Sequence, residues 1–304
     1  MKNKNLLTPK TDVVFHSLFR VGNERITKAM IEDITKRKIK QINLEEDRQL
    51  IKRYPEEKLG ILDLKAVLDD GVLCNIEIQL FDKSNTVERI LYYWSRMYSS
   101  QLIVGEGYEE LKKTICIAIL DYELKEIKEE KKYHTEWKIK EKGEKEKLTD
   151  KLEIHIIEIP KVMKEMKKIR GERVAQWMMF LSDPNNKEVE EIMKENEEIK
   201  EAMGRLKEIS EDEELRRVAE LRQKAILDEK AIRKRAIEIG LEEGREKGIE
   251  EGKREGRREG RREGIKEGRK NGINEVAKRM LKEKIDIKLI EKMTGLTRDE
   301  IEKL

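Results

Sequence analysis

Residues Ile61 to Phe81, ILDLKAVLDDGVLCNIEIQLF, constrain the fold more than any other stretch of the chain. Two apolar runs of strand length flank Asp69-Asp70-Gly71, and Asp/Gly pairs at such a junction favour the positive-φ geometry of a tight hairpin. Register then decides the chemistry, because a slip of one residue moves every side chain to the opposite face. A three-residue loop with Gly71 in the left-handed region sets Leu68 opposite Val72 and Asp63 opposite Glu77. A two-residue loop on Asp70-Gly71 pairs Asp69 with Val72 and sends the two acids to opposite faces. The three-residue loop is preferred, since it alone gathers the polar residues: by the period of two, Gln79 shares the face of Glu77, beside Asp63. Carboxylates set directly opposite one another repel, and a divalent cation between them is the simplest remedy.

The rest of the chain divides by composition. Charged residues make up 44% of the 304 and hydrophobic ones 37%, too charged a mixture for one compact globule throughout. Lys and Arg number 68 against 65 Asp and Glu, a net charge of +3, so any nucleic-acid surface must be local. Cys74 and Cys116 sit in apolar runs and read as reduced core residues of an intracellular protein. The opening MKNKNLLTPKTD has no signal-peptide core, and no segment approaches about 18 apolar residues. A soluble, cytoplasmic protein with no membrane partner is expected.

In chain order, Val14, Phe15, Leu18 and Phe19 form the stripe of a first helix, with Asp12 a candidate for its N-cap. Ile26, Met30 and Ile34 mark a second helix over Glu24 to Lys36, and a short strand or loop leads from Ile39 to the hairpin. Thr86 to Val104 reads as a long helix whose Ile90, Leu91, Trp94, Met97 and Tyr98 cover the sheet. Arg89, Tyr93 and Arg96 make a polar stripe on it, either a solvated face or a phosphate clamp. TICIAIL, from Thr114, suits the buried middle of a sheet. Tyr133 to Ile139 and Leu152 to Ile159 alternate as a second hairpin, with His155 read as ordinary and Glu158 as an edge residue. Trp177, Met178, Phe180 and Leu181 anchor the helical stretch that follows, ahead of an Asp183-Pro184-Asn185 turn.

Glycine then recurs every fourth residue from Gly240 to Gly272, with Ile249 the only apolar residue between Leu241 and Ile265. Helix-interior glycines cost roughly 1 kcal/mol each relative to alanine, so a marginal, solvated helix or a flexible spacer is expected here in preference to a close-packed oligomerisation rod. Beyond it, Val276, Met280 and Leu281, then Ile287 to Met293, then the Thr297-x-x-Glu300 capping box give a helix-turn-helix-like tail. Such a tail can bind DNA or another copy of the chain; self-association is preferred. Phosphate-loop, HExxH and Cys/His zinc spacings are all absent, which argues against energy-coupled chemistry and zinc hydrolysis.

Asp12 with Phe15 and Phe19, Leu62-Asp63, Asn75-Ile76-Glu77-Ile78-Gln79, and Arg89 with Tyr92-Tyr93 together resemble the Rpn family of recombination-promoting nucleases and transposases. Gln101-Leu102, Gly105-Glu106, Tyr108, Ile157 to Lys161 and the glycine tail extend the likeness along nearly the whole chain. That family belongs to the PD-(D/E)XK nucleases but has Glu-x-Gln where the superfamily has Glu-x-Lys. The resemblance implies an α/β restriction-endonuclease-like core over residues 1–160, a central mixed sheet flanked by helices. A charged helical extension over 161–239, a spacer over 240–272 and a short helical tail over 273–304 would follow. It also implies a DNA endonuclease in which Asp63, Glu77 and the Ile78 carbonyl hold Mg²⁺, with Mn²⁺ as a substitute, and in which Asp12 adds an acid. Gln79 would stand in the lysine position, Lys65 would supply the missing cation, and Arg89, Tyr93 and Arg96 would hold DNA phosphates. The rival expectation is a nuclease-fold protein of little turnover that binds DNA or associates with itself through its tail.

Overall fold

The computed structural model of the protein describes residues 6–45, 64–82, 85–127, 131–143 and 146–304, which form two compact units, 1–227 and 228–304. The first unit is built on a six-stranded sheet of β1 (Ile42–Leu44), β2 (Leu64–Leu68), β3 (Leu73–Gln79), β4 (Thr114–Leu120), β5 (His134–Trp137) and β6 (Leu152–Glu158), in spatial order β1-β2-β3-β4-β6-β5. The first three strands form an antiparallel meander, β3, β4 and β6 run parallel, and β5 returns antiparallel along β6. This is the mixed α/β sheet that the sequence implies.

The hairpin closes in the expected register. The Leu68 amide donates to the Val72 carbonyl at 2.8 Å, and the ladder runs from Val67↔Leu73 to Leu64↔Ile76. Gly71 has φ +75° and Asp70 φ +60°, the left-handed conformations that Gly tolerates freely and Asp more readily than most residues. The Asp69 carboxylate holds the turn against the approach to β1 by accepting the Lys40 and Gln41 amides at 2.5 and 2.6 Å. Asp63 lies outside the described residues.

Parallel strands in mid-sheet are buried on both faces, and all seven residues of β4 are buried. One face, carrying Cys74, Ile76, Ile115, Ile117, Ile119 and Ile157, packs with helices α1 (Asp12–Phe19), α2 (Glu24–Thr35), α4 (Ile159–Ile169), α5 (Arg173–Ser182), α6 (Lys187–Glu195) and α7 (Glu197–Glu211) in one core. Phe15, Phe19, Met30, Ile34, Trp177, Phe180 and Leu206 are its large buried members. The Trp177 indole N–H donates to Asp33 at 2.8 Å, which satisfies the polar tip of a fully buried ring. Helices α4 to α7 thus share one core with the sheet. The two cysteines are buried thiols on adjacent strands, not joined in a disulfide, and the Cys74↔Ile115 register points them to opposite faces. Burial pushes the Cys74 thiol up, which keeps it inert.

The other face, with Cys116, Ala118, Leu120, Ile154 and Ile156, is covered by Val87, Ile90 and Trp94 of α3 (Thr86–Ser99). This helix is shorter than its pattern predicts. Its last turn closes on the Ser99 and Ser100 hydroxyls, which donate to the Arg96 and Met97 carbonyls, and the Gln101 amide then ties the chain to Lys112 and Thr114. Leu91, expected on the sheet, is 45% exposed, because the helix rests on the 87/90/94 line instead. Glu158, expected at an edge, lies at the end of an interior strand between β4 and β5 and is buried. It accepts the Leu124 amide at 2.7 Å and pairs with Lys161 at 2.5 Å.

Helix α8 runs Glu213–Lys282, and every residue from 240 to 272 is exposed. The glycine ladder is therefore helical and solvated, one of the two states its sequence allows. In the second unit Ala277, Ile290 and Ile301 are buried together, joining the end of α8 to α9 (Ile287–Thr294) and α10 (Arg298–Glu302). Gly295, at φ +76°, stops α9, and the capping box of Thr297 and Glu300 starts α10 as predicted.

Candidate functional site

Period two along β3 puts Asn75, Glu77 and Gln79 on one face, and all three are buried. A charged carboxylate with no exposed surface must be compensated, and Arg89, one turn into α3, reaches across to do so. Its Nη2 lies 2.5 Å from Glu77 Oε1, and its guanidinium lies 5.8 Å from the centre of the Tyr93 ring. Sequence periodicity placed Arg89 in a polar stripe, either a solvated face or a phosphate clamp; here it is the counter-ion of Glu77. Arg96 is exposed and Tyr93 half-buried. Lys65 stands opposite Asn75, as the register requires, and its side chain is exposed.

Gln79 is 6% exposed, and its carboxamide oxygen accepts a hydrogen bond from the Tyr122 hydroxyl at 2.9 Å. Tyr122 follows β4 by two residues, and its hydroxyl is also 2.6 Å from that of Thr86, the first residue of α3. Burial pushes the Tyr122 phenol up to about 12. Among the described residues, the Gln79 side-chain nitrogen, both polar atoms of the Asn75 side chain and the Arg89 Nε find no hydrogen-bond partner. Unpaired buried polar atoms are rare in folded proteins, so three of them along one strand face mark a surface shaped for something else.

Asp12 is the first residue of α1, with Thr11 before it in the N-cap position; its carboxylate accepts the Val13 amide at 2.8 Å. It faces Arg222 of α8 at 3.7 Å, and burial raises its pKa against the opposing pull of that arginine. Lys10, on the turn before α1, pairs at 2.8 Å with Asp121, whose own amide binds the Gln79 carbonyl. The chain leading into α1 is thereby tied to the end of β3.

Sequence reasoning missed Tyr122, Thr86 and Arg222, which approach from turns and helices distant along the chain. Asn75 carried a readable signal, since it shares parity with Glu77 and Gln79.

A second polar cluster lies on the opposite sheet face. His155 bridges His134 at 2.9 Å and Glu153 at 3.0 Å, and Glu153 also pairs with Lys113 at 2.5 Å. Lys138 joins Glu136 to Glu153. Glu136, Glu153 and His155 converge closely enough to hold a metal ion. The two lysines, however, already balance the two carboxylates. Burial raises the Glu153 carboxyl, but hydrogen bonds from His155 and Lys113 outweigh it and hold the group at about 2. A cleft beside β1, lined by Arg37, Lys38, Lys40 and Asp69 among others, includes none of Asn75, Glu77, Gln79, Arg89 and Tyr122.

Residues 9–236 match the family model described as PD-(D/E)XK nuclease family transposase. The chain belongs to that family. Residues 273–304 match a second model, the C-terminal HTH domain of the Rpn/YhgA-like nuclease family, so the short helices of the second unit are the family's own tail. No curated protein and no solved structure gives a match. No described helix is long and apolar enough to cross a membrane.

Proposed function

We propose that the protein is a metal-dependent DNA endonuclease that hydrolyses phosphodiester bonds, in the service of recombination or transposition. The observation that carries this reading is the fully buried Glu77 carboxylate on the β2–β3 hairpin, flanked among the described residues by the unpartnered Asn75 amide and Gln79 nitrogen. The donors this face offers a cation are oxygens, the Glu77 carboxylate and the Asn75 carbonyl. Such a set fits a hard ion such as Mg²⁺ or Mn²⁺. Glu77, Asp63 and the Ile78 carbonyl would hold it. When bound, a divalent ion neutralises phosphate charge and makes hydroxide available near neutral pH.

The remaining work falls to the chain's own groups. Gln79 offers a neutral N–H donor where a lysine would bring charge, so it orients more than it stabilises. Arg89 holds the Glu77 carboxylate in place, and together with the exposed Arg96 and Lys65 and the Tyr93 ring it supports contacts to the DNA backbone. Asp12 contributes a further acid from the start of α1. In a supercoiled-plasmid assay with Mg²⁺, wild type nicks and Glu77→Gln loses at least about 100-fold in rate. Equal nicking by the two proteins overturns the reading.

The neutral Gln79 and the HTH match favour one other reading, a DNA-binding protein of little turnover. It predicts salt-dependent DNA retention without metal and unchanged in Glu77→Gln.

A further inference from the structure

Resting on the nuclease reading, the geometry points to Tyr122 as a positioning residue that fixes which end of the Gln79 carboxamide enters the site. A glutamine amide can present its oxygen or its nitrogen, and the two have opposite uses beside a phosphate. The nitrogen donates to an anionic oxygen, whereas the oxygen repels it. Nothing in β3 itself chooses between them.

In the structure the oxygen is the end that is held, by a chain of hydroxyls. Tyr122 has a single hydroxyl proton, and it goes to the Gln79 Oε1 at 2.9 Å. The Thr86 hydroxyl, 2.6 Å from the Tyr122 oxygen, must then be the donor of that second contact. Thr86 is buried at the start of α3, so the chain begins on a rigid element. With its oxygen held by Tyr122, the amide turns its two N–H donors away. They are buried and unpartnered among the described residues, on the strand face of Glu77. A tyrosine after β4 thus gives a neutral glutamine the one property of a lysine that it can imitate, a donor fixed toward the phosphate.

Arg89 and Tyr122 divide the task of holding this face. Arg89 fixes the carboxylate and Tyr122 fixes the amide, and both are set by α3: Arg89 directly, Tyr122 through Thr86.

The test is a mutant cycle on the full-length protein with supercoiled plasmid and Mg²⁺. Tyr122→Phe lowers the single-turnover nicking rate per folded molecule about ten-fold, the loss of one well-aligned hydrogen bond, with half-saturating plasmid concentration unchanged. In a Gln79→Lys background, where the donor needs no orienting partner, Tyr122→Phe changes the rate by less than about two-fold. An equal loss in both backgrounds makes Tyr122 merely structural and overturns the inference. A second readout does not depend on cleavage. The Gln79 side-chain amide signals, identified by their disappearance in Gln79→Glu, shift in Tyr122→Phe; unshifted signals overturn the inference even where the enzyme is active. If wild type nicks nothing while these signals still shift, the nuclease reading has failed, and with it a catalytic role for Tyr122, although the hydrogen bond stands.

Discussion

The two buried polar clusters of the sheet use the same residue types to opposite ends. On one face, Glu153 is met by His155 and Lys113, His155 by His134, and Glu136 by Lys138, so the cluster's charges are answered. On the other, Arg89 answers Glu77, yet the Asn75 amide and the Gln79 nitrogen stay unpartnered among the described residues. A closed network of this kind stabilises a fold, because each buried group keeps the partners it would have had in water. An open one costs free energy and persists where a ligand completes it. Of the two, the cluster with the metal-like Glu/Glu/His geometry is the self-sufficient one.

That contrast can be broken by mutation. Glu153→Ala removes the hub of the closed network and leaves His155, Lys113 and Lys138 without their shared acceptor. Breaking a buried pair costs about 3 kcal/mol, read as a fall in the urea midpoint, while nicking per folded molecule is kept. Selective loss of nicking without destabilisation would instead move the chemistry to this face. Asn75→Leu has the opposite sign. Replacing an unpartnered buried amide by an apolar side chain of similar size stabilises by about 1 kcal/mol, and it lowers nicking because the site loses a polar contact. Destabilisation by this change would mean that Asn75 is already satisfied.

The sequence made one cluster more legible than the other for a physical reason. Parity along a single strand put Glu77 and Gln79 together, and turn chemistry at Asp69 to Gly71 set the register, both of them local. β4 declared its burial by lacking any charge, and Trp177 and its neighbours declared theirs by concentration. The order of the strands is not local. His155 and Glu158 could not be placed without knowing that β5 folds back outside β6, which makes β6 interior and gives His155 a histidine neighbour. The reach of Arg89 into the sheet was equally hidden, since helical periodicity names a face but not what that face meets. Tyr122 had no periodic signal at all, because it stands in a turn and contacts Gln79 across 43 positions.

The smallest expected effect is a pH dependence, and it belongs to the closed cluster. Burial, with the nearby His155, lowers the His134 pKa from 6.5 to about 4. The folded protein therefore binds fewer protons there than the unfolded chain between those two values, so stability rises with pH across that window and falls as pH drops from 6.5 toward 4. Glu153, also depressed, works in the same direction only below its ordinary value of 4.5, as pH falls toward 2. His134→Gln keeps a hydrogen-bonding partner for His155 and removes the titrating group. Its stability should decline less steeply than that of wild type between pH 6.5 and 4, by on the order of 1 kcal/mol once partial exposure is allowed for, while the two slopes agree above pH 7. Parallel curves throughout would mean that His134 is as freely solvated folded as unfolded, and that this face is less closed than its hydrogen bonds indicate.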